Sequence, residues 1–469
     1  MVVKINSYST DQIIDEKREE CGIVGIYSKT GQDVAPLLHR ALIALQHRGQ
    51  DAAGFAVWNG KKIEECRGIG LVDSVVKEED LRIPGSIGIG HTRYPTHGEC
   101  HGCDVQPFVY KNYAAAHNGH IANYKELKKE FQGYGYNFTS SVDSEVMVYY
   151  LDRYADTKKA VEKMMDSLEG AYSVTGLANG ELIVFRDKFA IRPLVWGENE
   201  DFVCFTSESA ALDVNKIPFK GSVNGGELIV VRGKQAKIEK FQIKREKMKH
   251  CMFEYVYFSR PDSLLDHGLP VHVVREKLGI RLAKSAPVKA DVVVPVPDTS
   301  RTAATAYARE LGIPCEEGLI KNRYIGRTFI MPDQNKRSEA VRLKLNPVTS
   351  VVKGKRVVLI DDSIVRGTTL REIVTIVREA GAKEVHLRIT SPPIKAPCFY
   401  GVDMSTYNEL IANKKTVEEI CKYLNADSLE YLSIEDLRGA IGFPICTGCL
   451  NEDYHTDYVK RAARIKAQE

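Results

Sequence analysis

The chain has 469 residues, of which 43% are hydrophobic and 27% charged, with a formal net charge of +3. That length accommodates two or three domains, each with a core large enough to need no disulfide staples. A charge balance so near neutrality excludes the strong positive field of a nucleic-acid or membrane-surface binder.

Residues 1–20 (MVVKINSYSTDQIIDEKREE) are polar and charged and lack the apolar stretch of a secretory signal. No later run is apolar and long enough to span a bilayer, so the expected location is the cytoplasm. The segment reads either as a frayed terminus or as a removable leader. From Cys21 to about residue 245, short strand-like runs alternate with glycine turns, among them CGIVGIYS, GFAVWNG, GSIGIGHTR and AYSVTGLANGELIVFRD. Helical stretches such as VAPLLHRALIALQHR and SEVMVYYLDRYA interrupt them. The pattern predicts an α+β domain rich in antiparallel sheet.

Several polar groupings punctuate this half. They are Cys21-Gly22-Ile23, Gln46-His47-Arg48-Gly49-Gln50-Asp51, His91-Thr92-Arg93-Tyr94-Pro95-Thr96, His117-Asn118-Gly119 and Asp143-Ser144-Glu145. A single cysteine is most often a packing residue. Cys21 differs, because removal of residues 1–20 would free its α-amine. With a pKa of about 7.7–8.0 that amine can serve as base to its own thiol. His47, His91 and His117 are read as packing or hydrogen-bonding residues. The knuckle-like run His97-Gly98-Glu99-Cys100-His101-Gly102-Cys103 is read as a loop.

A charged connector follows near residues 238–250, and beyond about residue 270 the style changes. Apolar runs (DVVVPVP, KRVVLIDD, EVHLRIT) alternate with helical ones (SRTAATAYARELG, TTLREIVTIVREAGA), as in βαβ units with a parallel sheet. Here a buried strand runs into Asp361 and Asp362. Ser363, Val365, Arg366 and Gly367 form a turn, and Thr368 and Thr369 open a helix. Helix-terminal N–H groups and hydroxyls suit a phosphate, and the paired acids suit ribose hydroxyls and a bound Mg²⁺. A second strand end carries Pro297-Asp298-Thr299-Ser300-Arg301. A third, cation-rich stretch holds Lys321, Arg323 and Arg327 around Gly326 and reads equally as a solvated basic loop or as cations that close over a pyrophosphate leaving group.

The eleven cysteines have no regular spacing and do not read as a disulfide framework. Cys446 and Cys449 form a C-x-x-C, with Cys251 and Cys398 upstream. Four thiolates suit a 4Fe–4S cluster, zinc is the chemical alternative, and unrelated buried thiols are the third reading.

The ordered groupings of the first half resemble the glutaminase domain of the N-terminal-nucleophile amidotransferases. The 361–369 loop resembles the signature of type I phosphoribosyltransferases, which bind phosphoribosylpyrophosphate (PRPP). Together they resemble the glutamine PRPP amidotransferases, and within them the iron–sulfur subgroup with a propeptide. That resemblance implies an α+β N-terminal-nucleophile domain, a sandwich of antiparallel sheets with helices, over residues 21–250. An α/β type I phosphoribosyltransferase domain with a parallel sheet would occupy residues 251–469, and residues 1–20 would be a propeptide.

The implied reaction takes ammonia from glutamine and attaches it to C1 of PRPP, giving phosphoribosylamine, glutamate and pyrophosphate, the first step of purine synthesis. By resemblance, Cys21 is the nucleophile, and Asn118 and Gly119 supply the oxyanion donors. Arg93, Thr96 and Asp143 would hold glutamine. Asp361, Asp362, Ser363, Val365, Arg366, Gly367, Thr368, Thr369, Lys321 and Arg327 would hold PRPP, with Thr299, Asp361 and Asp362 on Mg²⁺. Cys251, Cys398, Cys446 and Cys449 would hold the cluster. Purine nucleotides are the expected feedback inhibitors and a homotetramer the expected assembly, with no nucleic-acid or membrane partner. The 361–369 loop argues against asparagine and glucosamine-phosphate synthetases, which share the glutaminase half. Cys21, Arg93, Asn118 and Asp143 together argue against a PRPP-sensing repressor.

Overall fold

The computed structural model describes residues 21–94, 102–322, 342–404 and 406–467. In the first half two antiparallel sheets face each other. One has seven strands, in the spatial order Phe219–Ser222, Val195–Glu198, Phe202–Thr206, Gly22–Ser28, Ile87–Arg93, Ala52–Trp58 and Ile63–Ile69. The other has six, in the order Lys237–Gln242, Glu227–Arg232, Glu181–Arg186, Gly170–Ala178, Tyr113–Ile121 and Phe108–Tyr110.

Alternation along the strands explains the layers. Ile23 and Tyr27 point between the sheets, where Ala114, Ala116, Leu182, Val184 and Phe205 meet them. Val24 and Ile26 point outward onto Leu38, Ala41 and Leu42 of the helix Ala35–Ala44. Across the sandwich, Ala115, Tyr172 and Val174 point outward onto the helices Glu145–Tyr154 and Thr157–Ser167. Each large side chain so buried contributes about 1.5–3 kcal/mol. Both faces of the central strands are therefore apolar, and these strands read as nearly continuous hydrophobic runs.

The second half is built on a four-stranded parallel sheet, Val292–Pro295, Arg356–Asp361, Glu384–Ile389 and Ser428–Tyr431. Val293, Val358 and Ile360 face the helices Val271–Ser285 and Arg301–Leu311. Val292, Val357 and Leu359 face Ile373, Val374 and Val377 of the helix Thr368–Glu379. Strand ends and helix starts therefore gather at the carboxyl edge of the sheet, the position at which open α/β sheets bind ligands.

The halves share a polar seam. Arg186 of the sandwich makes a two-pronged pair with Asp266, with Nη1 at 2.6 Å and Nη2 at 3.0 Å. The short strand His250–Cys251 pairs in parallel with Ile445–Cys446, so the chain's last portion returns to the junction. Between them lies a π-helical turn, Glu254–Phe258. The buried guanidinium of Arg275 donates to the carbonyls of Tyr255, Tyr257 and Ser259 at 2.8–2.9 Å, which satisfies the turn's open end. Among the described residues, no helix is long and apolar enough to cross a membrane.

Candidate functional site

Cys21 stands at the head of the strand Gly22–Ser28, half-buried, with its Sγ 3.9 Å from the carbonyl oxygen of Tyr94. Gly22 is in register with Thr92, which places Arg93 at the neighbouring strand's end beside Cys21. Arg93 is buried, and its Nε has no hydrogen-bond partner. An unpaired buried guanidinium nitrogen is costly unless an anion completes it.

The backbone at Cys21 is anchored from below. Arg48, in the 3₁₀ turn Gln46–Arg48, donates from Nε to the Cys21 carbonyl at 3.1 Å. Its other nitrogens reach Glu208 at 2.6 Å and Glu254 at 2.8 and 2.9 Å. Glu208 also binds His47, the Arg260 N–H and the Ser263 hydroxyl. Burial alone would raise the Glu208 carboxyl, but His47 and Arg48 hold it well below the usual range. Removing one member of such a buried cluster costs about 3–5 kcal/mol.

Facing this strand across the sandwich is Tyr113–Ile121. His91 Nε2 lies 3.2 Å from the His117 carbonyl oxygen, and the Thr175 hydroxyl donates to the Val24 carbonyl at 3.3 Å, so the two sheets are pinned near Cys21. Asn118 is buried, and its Nδ2 has no partner. Gly119 has φ +142°, and a Cβ there would collide with the Ala171 carbonyl. The strand thus ends in one unsatisfied amide donor and a backbone conformation reserved for glycine.

Asp143 precedes the helix Glu145–Tyr154. Its Oδ2 accepts from the Ile121 N–H at 2.7 Å, and His120 Nδ1 lies 3.5 Å away. Burial opposes its ionisation, but the hydrogen bond from His120, the nearby His117 and the Ile121 N–H outweigh it and keep the carboxyl low. Its loop is tied down by Asp104, which accepts from Ser141 N–H at 3.0 Å, and by Glu145, which accepts from Thr139 and Ser140. Sequence reasoning named Glu145 without this role and missed Asp104, because an acid 37 residues from the serine it holds carries no local signal. Thr96 lies outside the described residues, as do His97 to His101 of the knuckle-like run; Gly102 and Cys103 belong to a short 3₁₀ turn.

His91 gives this region a pH signature. Burial, then the charge of Arg93, pushes its imidazole down to about 3 from 6.5. Below pH 6.5 the unfolded chain takes a proton that the folded one refuses. The stability due to neutral His91 is therefore complete above pH 6.5 and is lost as pH falls toward 3. Between pH 7 and pH 5 the expected loss is about 2 kcal/mol. Urea unfolding at the two pH values measures it, and His91→Asn should flatten the dependence. Full acid sensitivity in that variant would place its origin elsewhere.

At the carboxyl edge of the parallel sheet, the strand Arg356–Asp361 runs into the turn 362–367 and the helix Thr368–Glu379. Asp361 is half-buried, and its Oδ1 accepts from the Asp362 N–H at 2.8 Å and lies 3.4 Å from the Ser300 hydroxyl. Asp362 is buried and accepts from Thr299 at 2.5 Å and from Ser363 at 3.0 Å. Gly367 caps the helix at φ 81°. Thr368 is exposed at the helix start and Thr369 partly so. The Val365 carbonyl accepts from Ile411 N–H at 2.9 Å, and Arg366 lies 3.3 Å from Glu409. Lys321 ends the strand Leu319–Lys321 and reaches Asp298 at 3.4 Å, beside Thr299. The structure thus brings Thr299, Lys321, Asp361, Asp362 and the helix N-terminus to one edge. Arg323, Gly326 and Arg327 lie outside the described residues.

The four cysteines meet at the seam. Cys251 and Cys446 are register partners, and the Cys449 carbonyl accepts from the N–H groups of Lys395 and Ala396. Cys398 accepts at Sγ from the Tyr400 N–H at 3.3 Å. Burial pushes the Cys446 thiol up to about 12 and the Cys449 thiol well above 9, and for Cys449 the neighbouring Cys398, Cys446 and Cys251 add to it. Among the described residues, no three His, Cys, Asp or Glu side chains converge closely enough to hold a single ion. Four neighbouring thiols are a donor set of the kind that iron–sulfur clusters use, one per iron.

Fold and clefts define a glutamine amidotransferase joined to a phosphoribosyltransferase. A glutamine amidotransferase domain matches residues 97–214, and a phosphoribosyl transferase domain matches residues 261–391. The chain is 49% identical to an amidophosphoribosyltransferase of Methanothermobacter thermautotrophicus, over 94% of this chain and 95% of that one. It is 43% identical to the amidophosphoribosyltransferase of Bacillus subtilis, over 94% of each. The solved glutamine PRPP amidotransferase of B. subtilis, in complex with ADP and GMP, superposes with a TM-score of 0.87 at 41% identity, covering 93% of this chain and 98% of that one. The chain belongs to the amidophosphoribosyltransferase family, the glutamine-dependent PRPP amidotransferases of purine biosynthesis.

Proposed function

We propose that the chain divides into a propeptide (1–20), a glutaminase domain (21–250) and a phosphoribosyltransferase domain (251–469), and that the residues gathered above carry the reaction. Once residues 1–20 are removed, the α-amine of Cys21 takes the proton of its own thiol. The thiolate attacks the amide carbon of glutamine. Asn118 Nδ2 and the Gly119 N–H receive the oxyanion that develops, and the orphaned state of that amide is the observation that carries this reading. Arg93, with its unpartnered Nε, holds the α-carboxylate, Asp143 the α-ammonium, and Thr96 completes the pocket. Ammonia leaves, and water releases glutamate from the thioester.

In the second domain Ser363, Val365, Arg366, Gly367, Thr368 and Thr369 cradle the 5-phosphate of PRPP at the helix N-terminus. Asp361 and Asp362 take the ribose hydroxyls. Mg²⁺, held through Thr299, Asp361 and Asp362, would neutralise pyrophosphate charge. Lys321 and Arg327 stabilise the departing pyrophosphate as ammonia bonds to C1. A 4Fe–4S cluster on Cys251, Cys398, Cys446 and Cys449 would tie the C-terminal segment to the junction, a structural task, since ammonia transfer moves no electrons. Purine nucleotides act as feedback inhibitors of a cytoplasmic homotetramer. The support for that regulation is the B. subtilis relative solved with ADP and GMP bound.

Anaerobic glutamate release from glutamine, with and without PRPP and Mg²⁺, tests the coupled reading. Strong stimulation by PRPP is the expected result. Release indifferent to PRPP would overturn the assignment of the second site.

A further inference from the structure

The oxyanion strand is touched by the other domain. Gly401, at φ +110°, packs directly on Gly119: a Cβ on Gly401 would lie 3.0 Å from the Gly119 carbonyl carbon and 3.1 Å from its Cα. The same Cβ would be 3.1 Å from Arg192 Nη2. Gly119 is thus held between Ala171 and the His117 ring within its own domain and the backbone of residue 401 from the other.

Arg192 fixes that contact. It is wholly buried, and its Nε donates to the Tyr400 carbonyl, one residue before Gly401, at 2.8 Å. Its own carbonyl accepts from the Ser173 hydroxyl at 2.9 Å, and Ser173 is the register partner of Asn118. Its Nη1 lies 3.5 Å from Glu254 Oε1, the carboxylate that Arg48 grips while holding the Cys21 carbonyl. One residue therefore ties three parts together: its carbonyl holds the Asn118 strand pair, and its guanidinium holds the loop lying on Gly119 and the support of Cys21.

We propose that Gly401 and Arg192 are positioning residues of the glutamine site. The second domain, through residues 398–401, sets where the Gly119 N–H points, and Arg192 holds the loop at that height. The inference rests on the reading of Asn118 and Gly119 as oxyanion donors. Neither Gly401 nor Arg192 contacts glutamine in this scheme, so their effect falls on the rate of amide cleavage and not on glutamine binding. Oxyanion donors act only when aimed at the developing charge, and small displacements are costly.

The test uses the full chain carrying Gly401→Ala or Arg192→Lys. Lysine keeps the charge but cannot bridge Tyr400 and Glu254 as the planar fork does. Glutamate release at saturating PRPP is compared with phosphoribosylamine formation from alkaline ammonium chloride, which bypasses the glutaminase. Expected is a fall in glutamine kcat of about tenfold or more, with glutamine KM and the ammonia-dependent rate within about twofold of the parent. Equal losses with both nitrogen sources, a change confined to KM, or parental rates would each overturn it. Should Gly401→Ala fail to fold, Arg192→Lys decides alone. Asn118→Ala, run alongside, should lose about 10²–10³ in kcat. A normal rate there would defeat the oxyanion assignment itself, whereas an impaired Asn118→Ala beside a normal Arg192→Lys and Gly401→Ala would defeat only this proposal.

Discussion

Cys21→Ala should lower glutamine-dependent phosphoribosylamine synthesis by at least about 10³-fold while synthesis from ammonium ions stays near the parental rate. The asymmetry follows from the architecture. Cys21 heads a strand of the sandwich, whereas the acidic loop lies at the edge of a separate parallel sheet. Alanine also leaves the Arg48 hydrogen bond to the residue 21 carbonyl possible, so the strand head keeps its support. Steady-state rates with the two nitrogen donors measure the split. Loss of both rates would mean that the cysteine serves the fold and not the chemistry.

Asp361→Asn should do the opposite and lower synthesis with both donors together, by about 10² or more. The substitution is isosteric, removes the charge and exchanges one acceptor oxygen for an NH2 donor. Asp362 already accepts from Thr299 and Ser363 and is buried, so it keeps the loop closed. Asp361 is the more accessible carboxylate of the pair and the last residue of its strand. Basal glutamate release without PRPP should persist, and its stimulation at a fixed PRPP concentration should disappear. Rates measured across PRPP concentrations with each donor decide the matter. An unchanged ammonia-dependent rate would remove Asp361 from the PRPP site.

The sequence announces those parts of the site whose chemistry needs a rare residue type in a short run. Asp361, Asp362 and Gly367 fall within seven consecutive positions, and the turn they predict is the one observed. The strand runs and both helices flanking the acidic loop were equally legible, because both faces of the central strands are apolar and glycine ends the helix Arg301–Leu311 at Gly312. The helical stretch near residues 34–48 was less so. It breaks at Leu45 into the 3₁₀ turn Gln46–Arg48, which lets Arg48 reach back to Cys21, and that purpose lies in a distant contact. Nothing local announces the π-turn at Glu254–Phe258, since Arg275 completes it from the next helix. Arg192 and Gly401 sit in no motif. Their meaning comes from two glycine backbones meeting across a seam, and a one-dimensional pattern does not encode such a meeting.

The parallel pairing of His250–Cys251 with Ile445–Cys446 has a mechanical consequence. A domain tethered by one strand can swing and twist about all three axes. Here the chain's last portion comes back to pair with the entering strand, so the joint is a two-stranded ribbon and not a single tether. Rigid rotation of one domain against the other is correspondingly restrained. Such a joint suits coupling by small local shifts through the seam, in the manner of a stiff shaft and not of a swinging door.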